Sequence, residues 1–170
     1  MRTVRLSLVA TVMLMSLGGL GSVVVAQSDD EGYAYVTGTQ TYIEDVTEPT
    51  EVQAGDVIQI RGANATYAIE TNDPRVTGTM TTLGMALDVH PGDHYALAGP
   101  VRISNADGAW TGTETGAYDP TMGWQFVGWL DGMAAYEGLT LFVHGASPEL
   151  GDGIWELEGV IFPNDAPPVP

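Results

Sequence analysis

The stretch GWQFVGWLDGMAAYEGLTLFVHG, residues 123–145, decides the fold. Two apolar runs, residues 124–130 and 139–144, flank an acidic, glycine-bearing connection at 131–138. Trp, Phe, Val and Leu suit a pleated, half-buried surface, and Gly, Asp and Glu between the runs signal a turn. The stretch predicts a β-hairpin with a long loop, with room for one turn of helix over residues 131–137. The same rhythm of short strand, glycine turn and short strand runs from Tyr33 to Phe162. About eight strands are predicted: 33–42, 57–70 with Gly62 as a bulge, 76–89, 94–104 broken at Gly99-Pro100, 109–117, 123–130, 139–144 and 154–162. The acidic segment 43–55, with Pro49, reads as a loop. No window of ten residues in this range has convincing helical periodicity. These elements predict an all-β domain, a closed antiparallel barrel, with a β-sandwich as the alternative.

An internal echo orients the strands. Thr-Gly-Thr-x-Thr occurs at residues 37–41, 77–81 and 111–115, after Val36, Val76 and Trp110. With a period of two, the threonines of each copy share one face. The other face carries Val36, Gly38 and Gln40, then Val76, Gly78 and Met80, then Trp110, Gly112 and Glu114. Threonine tolerates water, so the second set is expected inside, where glycine lets a coiled strand bend. In the final strand, Trp155, Leu157, Gly159 and Ile161 alternate with Glu156 and Glu158, which puts the tryptophan on the inner side.

The ends of the chain differ from its middle. Arg2 and Arg5 precede an apolar core at residues 6–17, and Val24-Val25-Ala26 places small residues at a signal-peptidase position. Residues 1–26 read as a secretory signal and 27–32 as a flexible lead-in. The barrel domain follows at 33–162, and 163–170 is a proline-rich tail. A retained anchor helix is the competing reading of the first segment, since about 20 apolar residues span a bilayer. Gly18, Gly19 and Gly21 favour cleavage.

The chain has 170 residues, no Cys, and 22 acidic residues against 5 basic ones. Without residues 1–26, three arginines face 22 carboxylates, a net charge of −19. Such a surface repels phosphate backbones, which excludes nucleic acid as a partner, and it disfavours anionic membranes. No membrane insertion is expected after signal cleavage. Without cysteines, an exported chain has no disulfides and must be stabilised by its core.

The connection in the opening stretch reads D-G-M-A-A-Y-E-G. It is similar to the G-x-G-x-[YF]-x-G hairpin of allene oxide cyclase and dirigent-like barrel proteins. Gly132, Tyr136 and Gly138 match as structural turn residues, and Ala134 stands where the second Gly is usual. The resemblance implies a secreted or plastid eight-stranded antiparallel barrel with an apolar lumen. No motif supports carrying over those families' catalytic residues.

Chemistry-bearing groups are sparse. Beyond the expected signal the serines are Ser28, Ser104 and Ser147, none in a G-x-S-x-G setting, and no Lys exists for a P-loop or Schiff base. His90, Asp93 and His94 share a Pro-Gly turn that forbids helical metal spacing, so a site there needs another ligand such as His144. No catalytic set, metal site or cofactor is predicted. Asn64-Ala-Thr66 fits a glycosylation acceptor. The candidate lumen residues are Val36, Gln40, Met80, Trp110, Glu114, Trp155 and Leu157. Trp124 and Trp129 are further candidates for an aromatic wall. A carboxyl such as Glu114 inside an apolar barrel has a raised pKa and can serve as general acid or base.

Two function classes remain. One is a secreted, non-catalytic barrel that binds a small apolar ligand or serves structurally in an envelope. The other is an isomerase or cyclase of the allene oxide cyclase kind, acting on an apolar substrate in the lumen.

Overall fold

A computed structural model describes residues 32–147 and 153–164. The expected signal, residues 27–31 of the lead-in and residues 165–170 of the tail lie outside the described residues. Ten strands account for the described chain: β1 (Ala34–Thr47), β2 (Thr50–Ala54), β3 (Val57–Thr71), β4 (Gly78–Thr82), β5 (Met85–His90), β6 (His94–Ser104), β7 (Gly108–Asp119), β8 (Gly123–Ala134), β9 (Leu139–Ser147) and β10 (Ile154–Pro163). All pairings are antiparallel, and no described residue is helical.

The sheet closes on itself. From β6 to β10 each strand pairs with the next, β10 pairs with β1, and β1 pairs with β3. Both β4 and β5 bridge β3 to β6, so together they fill one position. The result is a closed eight-stranded antiparallel barrel with two extra strand segments. In β2, the chain continues the line of β1 along the other half of β3.

Four local expectations change. Residues 43–55 are not a loop: β1 runs to Thr47 and β2 follows. The long β3 offers backbone partners there while the acidic side chains stay in water, so only Glu48-Pro49 interrupts. Strand β6 is not broken at Gly99-Pro100. The break falls on the neighbouring strand instead, between Thr82 and Met85, where Gly84 has φ 79°. Pro100 has no N–H to offer that side, and its carbonyl accepts from the Leu83 N–H at 2.9 Å. The hairpin loop is also shorter than expected and holds no helical turn. Strand β8 extends to Ala134, and only residues 135–138 form the turn. Gly62, with φ 77°, sits at the predicted bulge, where the β3–β5 register shifts between Arg61 and Ala63. Strand β10 extends by one residue, so Pro163 pairs with Leu139 instead of starting the tail.

The threonine echo gains a physical basis. A side chain on Gly38, Gly78 or Gly112 would collide with the carbonyl oxygen of Glu70, Ser104 or Trp129 on the neighbouring segment. All three copies use glycine for the same close approach of backbone, which a strongly coiled barrel requires. These glycines therefore do not leave lumen volume behind; neighbouring backbone fills it. None of the nine threonines in the three copies is buried, and Val36, Met80 and Trp110 are at most 3 % exposed.

The core is an apolar layer built from every barrel position. Trp110, Ile69, Leu130, Leu141, Ile161 and Val36 are its largest fully buried side chains. Full burial of such a side chain contributes roughly 1.5–3 kcal/mol relative to exposure, and in a chain without cysteines this layer carries the stability.

Candidate functional site

The two ends of the barrel are unlike. One end is sealed by the turns at 72–77, 105–107 and 135–138. Val76, on the first of these, is fully buried. Tyr136, on the third, lies flat on Trp110 with ring centroids 5.1 Å apart and planes 14° from parallel. Its hydroxyl donates to Asn105 Oδ1 at 2.8 Å, and the Trp110 indole N–H donates to the Arg75 carbonyl at 2.8 Å. Asn105 ties the turns together: its Nδ2 donates to the carbonyls of Pro74, Arg75 and Thr77, and its Oδ1 accepts from the N–H groups of Asp107 and Gly108. Asp73, buried, pairs with Arg75 at 2.6 Å. Burial pushes the Asp73 carboxyl up, but the hydrogen bonds and charge of Arg75 outweigh it and hold it below the usual carboxylate range.

The other end is wet and aromatic. Alternation carries Tyr42, Tyr67, Tyr95, Tyr118, Trp124 and Trp155 onto the inner face there. Tyr42 is exposed and the other five are half-buried. They form two groups. Tyr67 meets Tyr42 and Trp155 edge-on, with centroids 5.8 Å apart in each pair. Tyr95, Tyr118 and Trp124 form a trio spaced 5.5–5.9 Å apart.

Between the aromatic end and the packed core lie two buried polar side chains. Glu114 is 5 % exposed and Gln40 is 3 % exposed. Both sit on inward positions, and the cross-strand neighbours of Glu114 are glycines, Gly99 and Gly128. Neither side chain makes a hydrogen bond or ion pair with a described residue. Among the described residues, the one fully enclosed side-chain polar atom without a hydrogen bond is Asp88 Oδ1, which lies 2.6 Å from Arg61 Nη1. The polar tips of Glu114 and Gln40 are therefore not fully enclosed. Burial raises the Glu114 carboxyl to about 8, so it is mostly neutral at pH 7. Burial, then the nearby charges of Glu114 and Asp45, raise Tyr67 to about 12. A neutral carboxyl can both donate and accept a hydrogen bond, and a primary amide beside the lumen can do the same.

The lumen candidates thus divide by depth. Val36, Met80, Trp110 and Leu157 belong to the packed core, and Trp110 is covered by Tyr136. Gln40, Glu114 and Trp155 lie toward the aromatic end. Trp129 faces outward, 51 % exposed, against Phe142 and Phe162. Tyr42, Tyr67, Tyr95 and Tyr118 were absent from the sequence-based candidates. Extending the alternation through Gln40 and Glu114 by one or two further steps reaches Tyr42 and Tyr118.

The turn residues have separate roles. A side chain on Gly132 would strike the Tyr136 carbonyl oxygen. Ala134 adopts φ 58° and Gly138 φ 85°, so two left-handed positions close the hairpin. Among the described residues no atom lies within 4 Å of a Cβ added to Gly138, so its requirement is conformational, not steric crowding. His90 lies opposite His94 across the β5–β6 hairpin, but His94 and His144 are engaged apart: His94 Nδ1 lies 3.3 Å from Asp119 Oδ2, and His144 Nε2 lies 2.9 Å from Gln125 Oε1. No group of three or more His, Asp or Glu with metal-binding geometry occurs among the described residues. Asn64, in the glycosylation pattern, lies within β3, where its amide donates to Thr47 Oγ1 and accepts from the Gly84 N–H.

No protein-family model, curated protein or solved structure matches the chain. The closed barrel is compatible with the fold that the hairpin resemblance implies.

Proposed function

We propose that this is an exported, acidic barrel that holds a small, largely apolar molecule in the half of its lumen nearest the aromatic end, without transforming it. The observation that carries this reading is the pairing of buried Glu114 and Gln40, unpartnered among the described residues, with six solvent-reached aromatic side chains on the same inner surface. A pocket of apolar and aromatic walls with a few polar groups that fix orientation is the usual form of a small-molecule site. Apolar burial supplies roughly 25 cal/mol per Å2 before association costs. Trp124 and Trp155 report on occupancy, so titration with a panel of terpenes, fatty alcohols and aromatic compounds should shift tryptophan emission and raise the melting temperature. No change in either across the panel favours a structural envelope role over ligand binding.

A second reading has its own support. Glu114, raised to about 8, stands ready as a general acid toward a lumen-bound oxygen, which keeps open the isomerase or cyclase alternative that the hairpin resemblance allows. Conversion of a bound epoxide or unsaturated substrate by the wild type, abolished in Glu114→Gln with binding retained, would favour it.

A further inference from the structure

We propose that the lumen ligand is an organic cation, a protonated or quaternary amine on an aryl or alkyl body, with its charged group held among Tyr67, Trp155 and Glu114. The inference rests on the lumen-binding reading and narrows it to one class of ligand. Tyr67 makes edge contacts with both Tyr42 and Trp155, and Glu114 is buried on the same inner face, where its charge adds to the rise of the Tyr67 hydroxyl. Aromatic faces attract cations, and a desolvated site strengthens that attraction.

Among the described residues, the charges that act on Tyr42 and Tyr67 are all negative. Asp45 acts on both Tyr42 and Tyr67, and Glu44 acts on Tyr42. The three arginines among the described residues are placed elsewhere. Arg61 is bound to Asp88, Arg75 to Asp73 at the sealed end, and exposed Arg102 lies 3.9 Å from Met133 Sδ. A fatty-acid carboxylate entering here would meet Glu44, Asp45 and Glu114, with no arginine among the described residues to receive it and His94 already paired with Asp119. An ammonium would meet aromatic faces and a carboxyl that has no other partner among the described residues. On binding, Glu114 releases its proton to solvent and pairs with the ammonium. Gln40, which has no partner among the described residues, is a further acceptor in the same half of the lumen. The trio of Tyr95, Tyr118 and Trp124 offers the apolar wall for the body.

The test compares three ligands that share one body: phenylpropylamine, phenylpropanol and phenylpropionate. Calorimetric titration of the wild type should rank the amine about tenfold tighter than the alcohol, with the carboxylate weakest, as cation–π contact and ion pairing require. Glu114→Gln, whose fold is checked by its melting temperature, should shrink the amine's lead over the alcohol several-fold, leaving the cation–π share, and leave the alcohol unchanged. The ranking on the wild type decides the matter even if that variant does not fold. An alcohol that binds as tightly as the amine, or an unaltered preference in Glu114→Gln, overturns the cation inference while leaving lumen binding intact. If none of the three binds but neutral terpenes do, the cation inference is again overturned. If nothing in either panel binds, the lumen-binding reading fails first.

Discussion

Tyr136 closes the barrel by stacking on Trp110 while its hydroxyl reaches Asn105, so one side chain covers the core and joins two turns. Tyr136→Phe removes only the hydrogen bond and should destabilise by about 1–2 kcal/mol. Tyr136→Ala also uncovers Trp110 and should cost about 3–5 kcal/mol. Denaturant melts give both values. Equal losses in the two variants would mean that the stack contributes nothing.

Ala134 is a left-handed residue with a side chain, in the position where the hairpin pattern favours glycine. Ala134→Gly should therefore stabilise, by up to about 1 kcal/mol, since relief of the left-handed strain outweighs the added chain entropy. Gly138→Val should destabilise by about 1–2 kcal/mol through backbone strain alone, because open space surrounds an added side chain. Thermal melts of both variants against the wild type check the opposite signs.

Gly112 is where the Trp129 carbonyl crosses closest to β7. Gly112→Ala should cost about 2–4 kcal/mol, because backbone rather than a flexible side chain must move. Thr113→Ala, its exposed neighbour, should stay within about 0.5 kcal/mol of the wild type. Similar melts for the two variants would remove the structural reason offered for the threonine–glycine echo.

Two buried carboxyls tie stability to pH with opposite signs. Glu114 is raised in the folded protein, from 4.5 to about 8, so the native state holds a proton that the unfolded chain releases. Its contribution is largest below about pH 4.5 and is lost as pH rises towards 8. Glu114→Gln should flatten that stretch of the stability curve, a difference on the order of 3–5 kcal/mol at its alkaline end. Asp73 is lowered, so its pairing with Arg75 contributes above the ordinary carboxylate range and is lost as pH falls through it. Asp73→Asn should weaken the protein at neutral pH and leave the acid limb nearly unchanged. Denaturant melts of the three proteins from acid to mildly alkaline pH separate the two effects.

The barrel was legible because alternation is strict wherever one face is buried: Trp155 and Leu157 inward with Glu156 and Glu158 outward is a pattern that only a one-sided sheet explains. The same rule placed Gln40 and Glu114 in the interior. Strand limits were harder to read where pairing, not composition, decides. Residues 43–55 look like loop because their side chains are polar, yet the backbone pairs along β3. Gly99-Pro100 looks like a break, yet the break it permits lies on the adjacent strand, a relation between residues distant in sequence. The aromatic end escaped notice for a related reason. Its tyrosines come from β1, β3, β6 and β7, and only closure of the sheet brings them to one rim.

The seam between β1 and β10 sets when this protein can fold. Ala34 lies against Ile161, so the first described strand cannot find one of its two partners until the last has been synthesised. Until then, β1 and β9 each present an unpaired edge. Contacts this distant along the chain form slowly, because the entropy of closing the intervening loop must be met before they contribute. The chain is thus most exposed to misassociation during synthesis, and its abundance of carboxylates, repelling neighbouring copies, protects it through that interval.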